Sequence, residues 1–136
     1  MEFVIHNWYL FLALIVVVYL LVSEPAQLKA RNIKMLNVHD MLRLMNDKGT
    51  TVIDVREVKE YAEGHMPHTI NIPLAQLGER SGELEKSKEK PVIVVCKSGP
   101  RSKKGAMILA KNGFKELYAL NGGVSDWQKD NLPLEK

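Results

Sequence analysis

The chain has 136 residues and a single cysteine, Cys96. One cysteine excludes an intramolecular disulfide, and a chain with no second thiol suits a reducing compartment. The absence of a second thiolate also leaves the pair His65 and His68 without the ligands that would complete a metal site. We therefore expect no metal and no other cofactor. What remains to be explained is the chemistry of one free thiol.

Basic residues are absent ahead of the longest apolar run. From Phe3 to Val22 the only polar side chains are His6 and Asn7. A helix of about 20 residues spans the roughly 30 Å of bilayer hydrocarbon, so we predict a transmembrane helix at residues 3–22. A cleavable signal peptide would carry positive charge before its apolar core, and Glu2 is the only charged side chain there. We therefore favour an uncleaved anchor.

Cations first appear after this run, at Lys29, Arg31 and Lys34. The positive-inside rule places the chain that follows in the cytoplasm, and juxtamembrane cations suit anionic lipid headgroups. We predict a single-pass protein of a bacterial inner (cytoplasmic) membrane, with residues 23–32 as a polar tether and 33–136 as the cytoplasmic domain. An anchor of this kind also allows a membrane-protein partner.

The charge balance argues against nucleic acid. Outside residues 1–22, 19 basic side chains face 15 acidic ones. This excess is small and dispersed, and aromatic and basic residues do not alternate as single-strand binding requires. We expect no nucleic-acid partner. Residues 78–90 hold four acidic and four basic side chains, which we interpret as a solvated connection.

Short β-branched runs alternate with segments of helical spacing. The predicted strands are Thr51–Val55, Ile70–Ile72, Val92–Val95 and Leu117–Leu120. The predicted helices cover residues 37–45, 57–63, 102–112 and 124–130. Alternation of this kind predicts an α/β domain with a mostly parallel sheet, in which ligands bind beyond the carboxyl ends of the strands. Cys96 follows such an end directly.

The residues after Cys96 favour a reactive thiolate. Lys97, Arg101, Lys103 and Lys104 lie within eight residues of it, and no acidic residue lies among them. Cations, loop N–H groups and a helix N-terminus all stabilise a thiolate, which is the nucleophilic form. A lone cysteine is more often a small core hydrophobe. Its position at a strand end favours the nucleophile here.

Six short motifs follow one another between Leu36 and Pro133. They are Asp54-Val55-Arg56, Glu63-Gly64-His65-Met66-Pro67, Asn71-Ile72-Pro73, Cys96-Lys97-Ser98-Gly99-Pro100-Arg101-Ser102, Gly113-Phe114 and Leu120-Asn121-Gly122-Gly123 with Trp127. In this order and spacing the segment resembles the single-domain rhodanese, or sulfurtransferase, family. The resemblance implies a five-stranded parallel sheet flanked by helices. It also implies transfer of sulfane sulfur from a small anionic donor such as thiosulfate to a thiol acceptor, through a persulfide on a catalytic cysteine.

The resemblance also assigns roles to residues. Cys96 becomes the catalytic residue, and the active-site loop that binds substrate comprises Lys97, Ser98, Gly99, Pro100, Arg101 and Ser102. His65 receives a structural role in the family's Gly-His-x-Pro turn. Independently of the resemblance, Asp54 and Arg56 could be read as an active-site acid and base, but we favour structural roles for both, with Asp54 at a strand end holding loops through backbone hydrogen bonds. We expect Arg56 to pair with Glu57, Glu60 or another acid.

Two residues depart from the family pattern. His68 stands where glycine is common, and Pro100 removes one backbone N–H from the active-site loop. We expect these changes to affect a turn and the range of sulfur donors, respectively.

Three other functions compete with sulfur transfer. A phosphatase or arsenate reductase loop places five residues between cysteine and arginine, whereas four separate Cys96 from Arg101. A papain-like cysteine–histidine pair has no support beyond the presence of histidines. The third alternative is a membrane-tethered binding or regulatory module that uses Cys96 little, since an anchor localises a domain without adding chemistry.

Overall fold

The computed structural model describes residues 1–47 and 49–136, with the side chain of Glu24 excepted. Five strands form one sheet in the order β1-β5-β4-β2-β3, and every neighbouring pair is parallel. The strands are β1 (Ile33–Leu36), β2 (Thr51–Asp54), β3 (Thr69–Asn71), β4 (Pro91–Val95) and β5 (Glu116–Leu120). The predicted fold class, a five-stranded parallel sheet flanked by helices, is confirmed.

Seven α-helices and one 3₁₀-helix accompany the sheet in the described residues. They are α1 (Glu2–His6), α2 (Trp8–Ala30), α3 (Val38–Met45), α4 (Val58–Glu63), α5 (Leu74–Arg80), the 3₁₀-helix (Ser81–Ser87), α6 (Pro100–Lys111) and α7 (Gly123–Lys129). Residues of α2, α5 and α6 share one buried cluster, and residues of α3 and α7 share a second. The sheet therefore has helices on both faces.

Strand β4 lies in the centre of the sheet and divides its side chains between these clusters. Val92 and Val94 belong to the cluster with α5 and α6, whereas Ile93 and Val95 belong to the cluster with α3 and α7. Alternate side chains of a strand point to opposite faces. Burial on both faces explains why the strand is an uninterrupted β-branched run. It also directs Cys96, the next residue of the series, toward the α5–α6 face.

The structure adds elements that the sequence pattern did not predict. Strand β1 at the sheet edge was not predicted. Only Ile33 of its four residues is buried, so the strand has no pattern of alternating buried residues in the sequence. Residues 78–90 were predicted as a solvated connection. Most of the segment is exposed, as that interpretation requires, but it is helical, since the end of α5 and the 3₁₀-helix occupy it, and Leu84 is buried. Helix α6 begins at Pro100 rather than at Ser102, since proline suits the first helical position.

The N-terminal segment differs in detail from the predicted helix at 3–22. Asn7 separates the short α1 from α2, whose length and composition suffice to cross a membrane and whose apolar stretch is not buried against the protein. The residues predicted as a tether are helical as far as Ala30, so α2 nearly reaches β1. Leu28 within this helix is only 8% exposed and belongs to the α5–α6 cluster.

Candidate active site

Cys96 lies at the carboxyl end of β4, and the loop after it folds back on the sulfur. The Gly99 N–H donates a hydrogen bond of 2.9 Å to Cys96 Sγ. Gly99 adopts a φ of +121°, a conformation that side chains disfavour, and its carbonyl accepts a 2.6 Å hydrogen bond from the Ser102 hydroxyl. Helix α6 starts at the next residue, Pro100. The sulfur therefore lies next to the Gly99 N–H donor and close in sequence to the N-terminus of α6, the two features that the sequence predicts.

The start of α7 supports the other side of the loop. The N–H groups of Val124 and Ser125 donate to the carbonyl oxygens of Cys96 (2.9 Å) and Lys97 (3.0 Å). Gly123 precedes them with a φ of +57°, and a Cβ at this position would collide with the Cys96 carbonyl oxygen. The second glycine of the Asn121-Gly122-Gly123 motif is therefore required by the close approach of the loop that follows Cys96.

Arg101, predicted to bind the anionic substrate, forms an ion pair with Glu60. Its Nη1 and Nη2 atoms donate to the two carboxylate oxygens of Glu60 at 2.7 and 3.0 Å. These hydrogen bonds lower the pKa of Glu60 to about 2. They also raise the pKa of Arg101, to which the proximity of Cys96 and Asp54 contributes as well. The guanidinium thus lies within electrostatic reach of Cys96 with part of its charge already balanced.

Glu60 is the site residue that sequence reasoning missed. It belongs to α4, where its carboxylate also accepts a 3.3 Å hydrogen bond from the Glu57 N–H as part of a capping box. The Glu57-x-x-Glu60 spacing was a visible sign of that helix start. The pairing with Arg101 joins residues 41 positions apart, and nothing in the local pattern indicates it.

Asp54 and Arg56 form a buried ion pair at the end of β2. Arg56 Nη2 contacts Asp54 Oδ2 at 2.9 Å, and the side chains are 7% and 0% exposed. The Arg56 N–H donates to Asp54 Oδ1 at 3.0 Å, and Nη2 also donates to the Gly64 carbonyl at 2.9 Å. The partner of Arg56 is thus Asp54, and neither Glu57 nor Glu60. The pair joins the strand end to the loop after α4.

His65 and His68 occupy structural positions in that loop. The His65 ring stacks on Tyr61 with centroids 3.8 Å apart, and its Nδ1 lies 3.0 Å from the Tyr61 carbonyl oxygen. Its backbone exchanges two 2.8 Å hydrogen bonds with Glu135. His68 has a φ of +60°, a left-handed backbone conformation that glycine adopts more readily than histidine. Within residues 1–47 and 49–136, no group of three or more metal-ligating side chains converges.

An open cleft of about 290 Å³ lies beside the loop. It is bordered by Lys97 and Val124 on the loop side and by Arg56, Glu60 and Gly64 on the other. Cys96 itself is only 1% exposed and does not line the cleft. A small molecule in the cleft thus contacts Lys97 and the Glu60 carboxylate of the Arg101–Glu60 pair.

Comparison with known proteins identifies the family of this chain. Residues 37–130, which include Cys96 and its loop, match the family model of the rhodanese-like domain. The chain belongs to this family. The rhodanese-like chain is 37% identical over 103 residues to the uncharacterized protein YibN of Escherichia coli K12, which covers 75% of this chain and 72% of YibN.

Two further similarities extend the comparison to a named enzyme and to a solved structure. The rhodanese-like chain is 31% identical over 97 residues to the thiosulfate sulfurtransferase GlpE of Actinobacillus pleuropneumoniae, covering 71% of this chain and 88% of GlpE. A crystal structure of a rhodanese-related protein from Thermoplasma volcanium superposes with a TM-score of 0.66 and 30% identity. That alignment covers 75% of this chain and 97% of the other.

Proposed function

We propose that this protein is a membrane-anchored sulfurtransferase. Cys96 takes sulfane sulfur from a small anionic donor of the thiosulfate type and passes it to a thiol acceptor. The observation that carries the proposal is the Gly99 N–H directed at Cys96 Sγ at the start of α6. Family membership agrees, and a Bacillus subtilis relative named a putative sulfur carrier, YrkF, is 35% identical over 82 residues. That match covers 60% of this chain and 43% of YrkF.

The reaction proceeds in two displacements. The Cys96 thiolate attacks the outer sulfur of thiosulfate, a new S–S bond forms, and the bond to the sulfonate sulfur breaks with its electron pair leaving as sulfite. The enzyme is left as a Cys96 persulfide anion. An acceptor such as cyanide then attacks the outer sulfur, leaves as thiocyanate and restores the thiolate. Two separate half-reactions predict ping-pong kinetics.

The active-site loop assists both displacements electrostatically. The Gly99 N–H and the N-terminus of α6 stabilise negative charge on the cysteine and on the persulfide. Lys97 attracts the anionic donor at the cleft. Arg101 contributes further positive charge, part of which the Glu60 carboxylate neutralises. Pro100 supplies no N–H, so the loop offers one donor fewer than a sequence without proline would. We expect this to narrow the range of donors.

The anchor and its orientation are part of the same proposal. Helix α2 has the length and composition of a membrane span, and Lys29, Arg31 and Lys34 follow its apolar part. The positive-inside rule then puts the catalytic domain in the cytoplasm. A reporter that functions in the cytoplasm should be active when it is fused after Lys136, and a reporter that requires the periplasm should be inactive there. Activity of a periplasm-dependent reporter at that position contradicts the orientation.

Persulfide formation tests the enzymatic proposal. The purified full chain, incubated with thiosulfate, should gain the mass of one sulfur atom on Cys96 and release one equivalent of sulfite. Cys96→Ser should do neither, while Lys111→Ala, which keeps the thiol and changes an exposed residue at the far end of α6, should retain the mass gain. If Cys96→Ser transfers sulfur at the parent rate, the enzymatic proposal is wrong.

A second candidate function has one observation in its favour. Cys96 is 1% exposed and Arg101 is occupied by Glu60, which is also what a binding or regulatory module with little catalysis would show. In that case the native protein would fail to form a persulfide even at high thiosulfate. The same mass measurement therefore separates the two functions.

A further inference from the structure

We propose that α2 bends at Pro25 when the protein is in a membrane, so that one helix serves as two units. Residues 26–30 stay fixed to the rhodanese-like domain, and the apolar part before Pro25 swings away from α6 and spans the bilayer. The inference rests on the proposed anchor and goes beyond the proposed sulfur transfer. It follows from the place at which α2 meets the domain and from the length of helix that remains beyond that place.

Helices α2 and α6 run in the same direction relative to the sheet. Helix α6 begins after β4, at the carboxyl edge, and returns to the amino edge, where β5 starts with Glu116 beside Pro91. Helix α2 also ends at the amino edge, because only Arg31 and Asn32 separate it from β1. The beginning of α2 therefore points beyond the carboxyl edge, where Cys96 lies.

The two helices border one open groove of about 340 Å³. Its walls are a stripe of α2 and part of α6, formed by Leu20, Ser23, Gln27 and Leu28 on one side and by Lys103, Lys104 and Met107 on the other. Since the helices run in the same direction, the first residue of each wall lies at the same end of the groove. Leu20 is therefore beside the pair Lys103 and Lys104.

A straight α2 in this position leaves too little helix to cross a bilayer. From Leu20 back to Trp8 the helix rises about 18 Å, and α6 itself extends about 6 Å from Lys104 to Pro100. Only about 12 Å of α2 then projects beyond the carboxyl edge, and α1 placed in line would bring this to about 20 Å. The hydrocarbon of a bilayer is about 30 Å thick. A straight helix beside α6 could span it only by drawing the charged loop after β4 into the hydrocarbon.

The contact that a bend gives up is small. Among the residues that the structure describes, Leu28 is the only buried one in α2, and it follows Pro25. The apolar side chains before Pro25 are exposed, Leu20 among them at 61%. Transfer of apolar surface from water to hydrocarbon is favourable in proportion to its area. The bend therefore keeps the buried contact of α2 and gives its exposed apolar surface a lipid environment.

The helix is weakest where the bend is needed. Pro25 has no N–H to donate to the Leu21 carbonyl, and its ring disfavours a straight helix there. Two residues earlier, the Ser23 hydroxyl donates a 3.3 Å hydrogen bond to the Leu20 carbonyl, a contact that also favours bending. The apolar residues 3–22 extend over about 30 Å as a helix, which is the length of a membrane span. A bend at Pro25 thus releases the whole apolar run from the domain.

Two distances measured by electron spin resonance on the full chain in lipid nanodiscs test the bend. In a Cys96→Ser background, spin labels are attached to the pair Ala13→Cys/Lys104→Cys and to the matched pair Gln27→Cys/Lys104→Cys. All three labelled positions are exposed. Positions 13 and 27 each lie seven residues from Leu20, on nearly the same face of α2. A straight helix therefore places both labels at about equal distances from position 104.

With the bend, the 13–104 distance should exceed the 27–104 distance by at least about 10 Å, because about 18 Å of helix separates position 13 from Pro25. Equal distances overturn the proposal in either of two forms. Both are short for a straight α2 beside α6, and both are long for a helix that has left the domain altogether.

The variant Pro25→Ala tests the position of the bend. It restores the missing N–H, so that bending breaks a hydrogen bond, and the mean 13–104 distance should shorten. An unchanged distance assigns the bend to another residue and contradicts the proposal.

Two further readouts separate the possible failures. Molecular oxygen, which concentrates in hydrocarbon, should relax a label at position 13 more strongly than one at position 27. Without that difference the anchor is wrong, and the bend with it. Persulfide formation by the native protein in the same nanodiscs is measured independently, so a bent helix without persulfide contradicts only the proposed sulfur transfer.

Discussion

Two ion pairs lie near the active-site cleft, and they differ in burial and reach. Asp54 and Arg56 are two residues apart, at most 7% exposed, and tied to the backbone of their own loop. Glu60 and Arg101 come from different helices and are about one third exposed, at 32% and 33%. The first pair is held by its burial and by its hydrogen bonds to the backbone. The second can exchange partners with an incoming anion, so we assign stability to the first and substrate chemistry to the second.

The largest expected effect comes from breaking the buried pair. Asp54→Ala leaves the Arg56 guanidinium buried without its partner, which should lower the free energy of unfolding by about 3–5 kcal/mol. Urea unfolding of the full chain in detergent micelles measures the loss. The double variant Asp54→Ala/Arg56→Met is the control, because removing both charges should recover much of the stability. A loss below about 1 kcal/mol for the single variant would mean that the pair has no structural role.

The exposed pair should show the opposite pattern. Arg101→Ala leaves the Glu60 carboxylate unbalanced at the border of the cleft, where it repels the anionic donor. We expect kcat/KM for thiosulfate to fall about tenfold, equivalent to about 1.4 kcal/mol of transition-state stabilisation. Stability should change by less than about 1 kcal/mol, as for other exposed pairs.

Removing the second charge sharpens that result. Glu60→Gln in the Arg101→Ala background should restore part of the lost kcat/KM, because the unbalanced carboxylate is gone. Arg101→Lys is the matched control: it keeps the charge but loses the two-pronged contact with Glu60. If Arg101→Ala lowers stability as much as Asp54→Ala does while leaving transfer unchanged, the assigned roles are reversed.

A smaller effect should appear in the pH dependence of stability. Hydrogen bonds from Arg101 lower the pKa of Glu60 from 4.5 to about 2, so its ionised form is favoured in the folded state. That stabilisation is complete above pH 4.5 and disappears as the pH falls toward 2. The stability difference between the native protein and Glu60→Gln should therefore be constant above about pH 5 and shrink below it. A stability difference that stays unchanged down to pH 2 would show that folding does not lower the pKa of Glu60.

The smallest change concerns a residue outside both pairs. His68 holds a φ of +60°, so His68→Gly should relieve backbone strain and raise stability by about 0.5 kcal/mol, part of the gain being lost to the flexibility of glycine in the unfolded chain. Thermal unfolding measures it. His68→Val, which disfavours this conformation, is the control and should be destabilising. Sulfur transfer should be the same in all three proteins, and a change in rate would connect this turn to the site.

Local signals predicted most of the fold. Asn37 accepts a 2.8 Å hydrogen bond from the Asp40 N–H, as an N-cap residue with an acid three positions later indicates. The β-branched run of β4 predicted a doubly covered central strand. Strand β1 lacked such a signal, because its Lys34 and Met35 are exposed at the sheet edge. In residues 78–90 balanced charges concealed Leu84, whose single buried side chain holds the 3₁₀-helix to the core.

The site was predictable only where its residues are neighbours in sequence. Cys96 and its loop form a contiguous segment, so strand end, glycine and helix start were all visible together. The Glu60–Arg101 pair depends on how α4 packs near α6, which is a tertiary contact. The buried state of Arg56 has the same origin: its contact with the Gly64 carbonyl depends on the path of the loop after α4.

Leu28 has a practical consequence for anyone who wants a soluble fragment. The family match begins at residue 37, so a fragment that starts at Ile33 contains the whole matched region. Such a fragment would lack the Leu28 side chain, which contributes about 1.5–3 kcal/mol when fully buried, and would expose the apolar surface it covers. Truncation should instead fall between Val22 and Gln27, so that the fragment retains the last turn of α2 as an integral part of its folding unit.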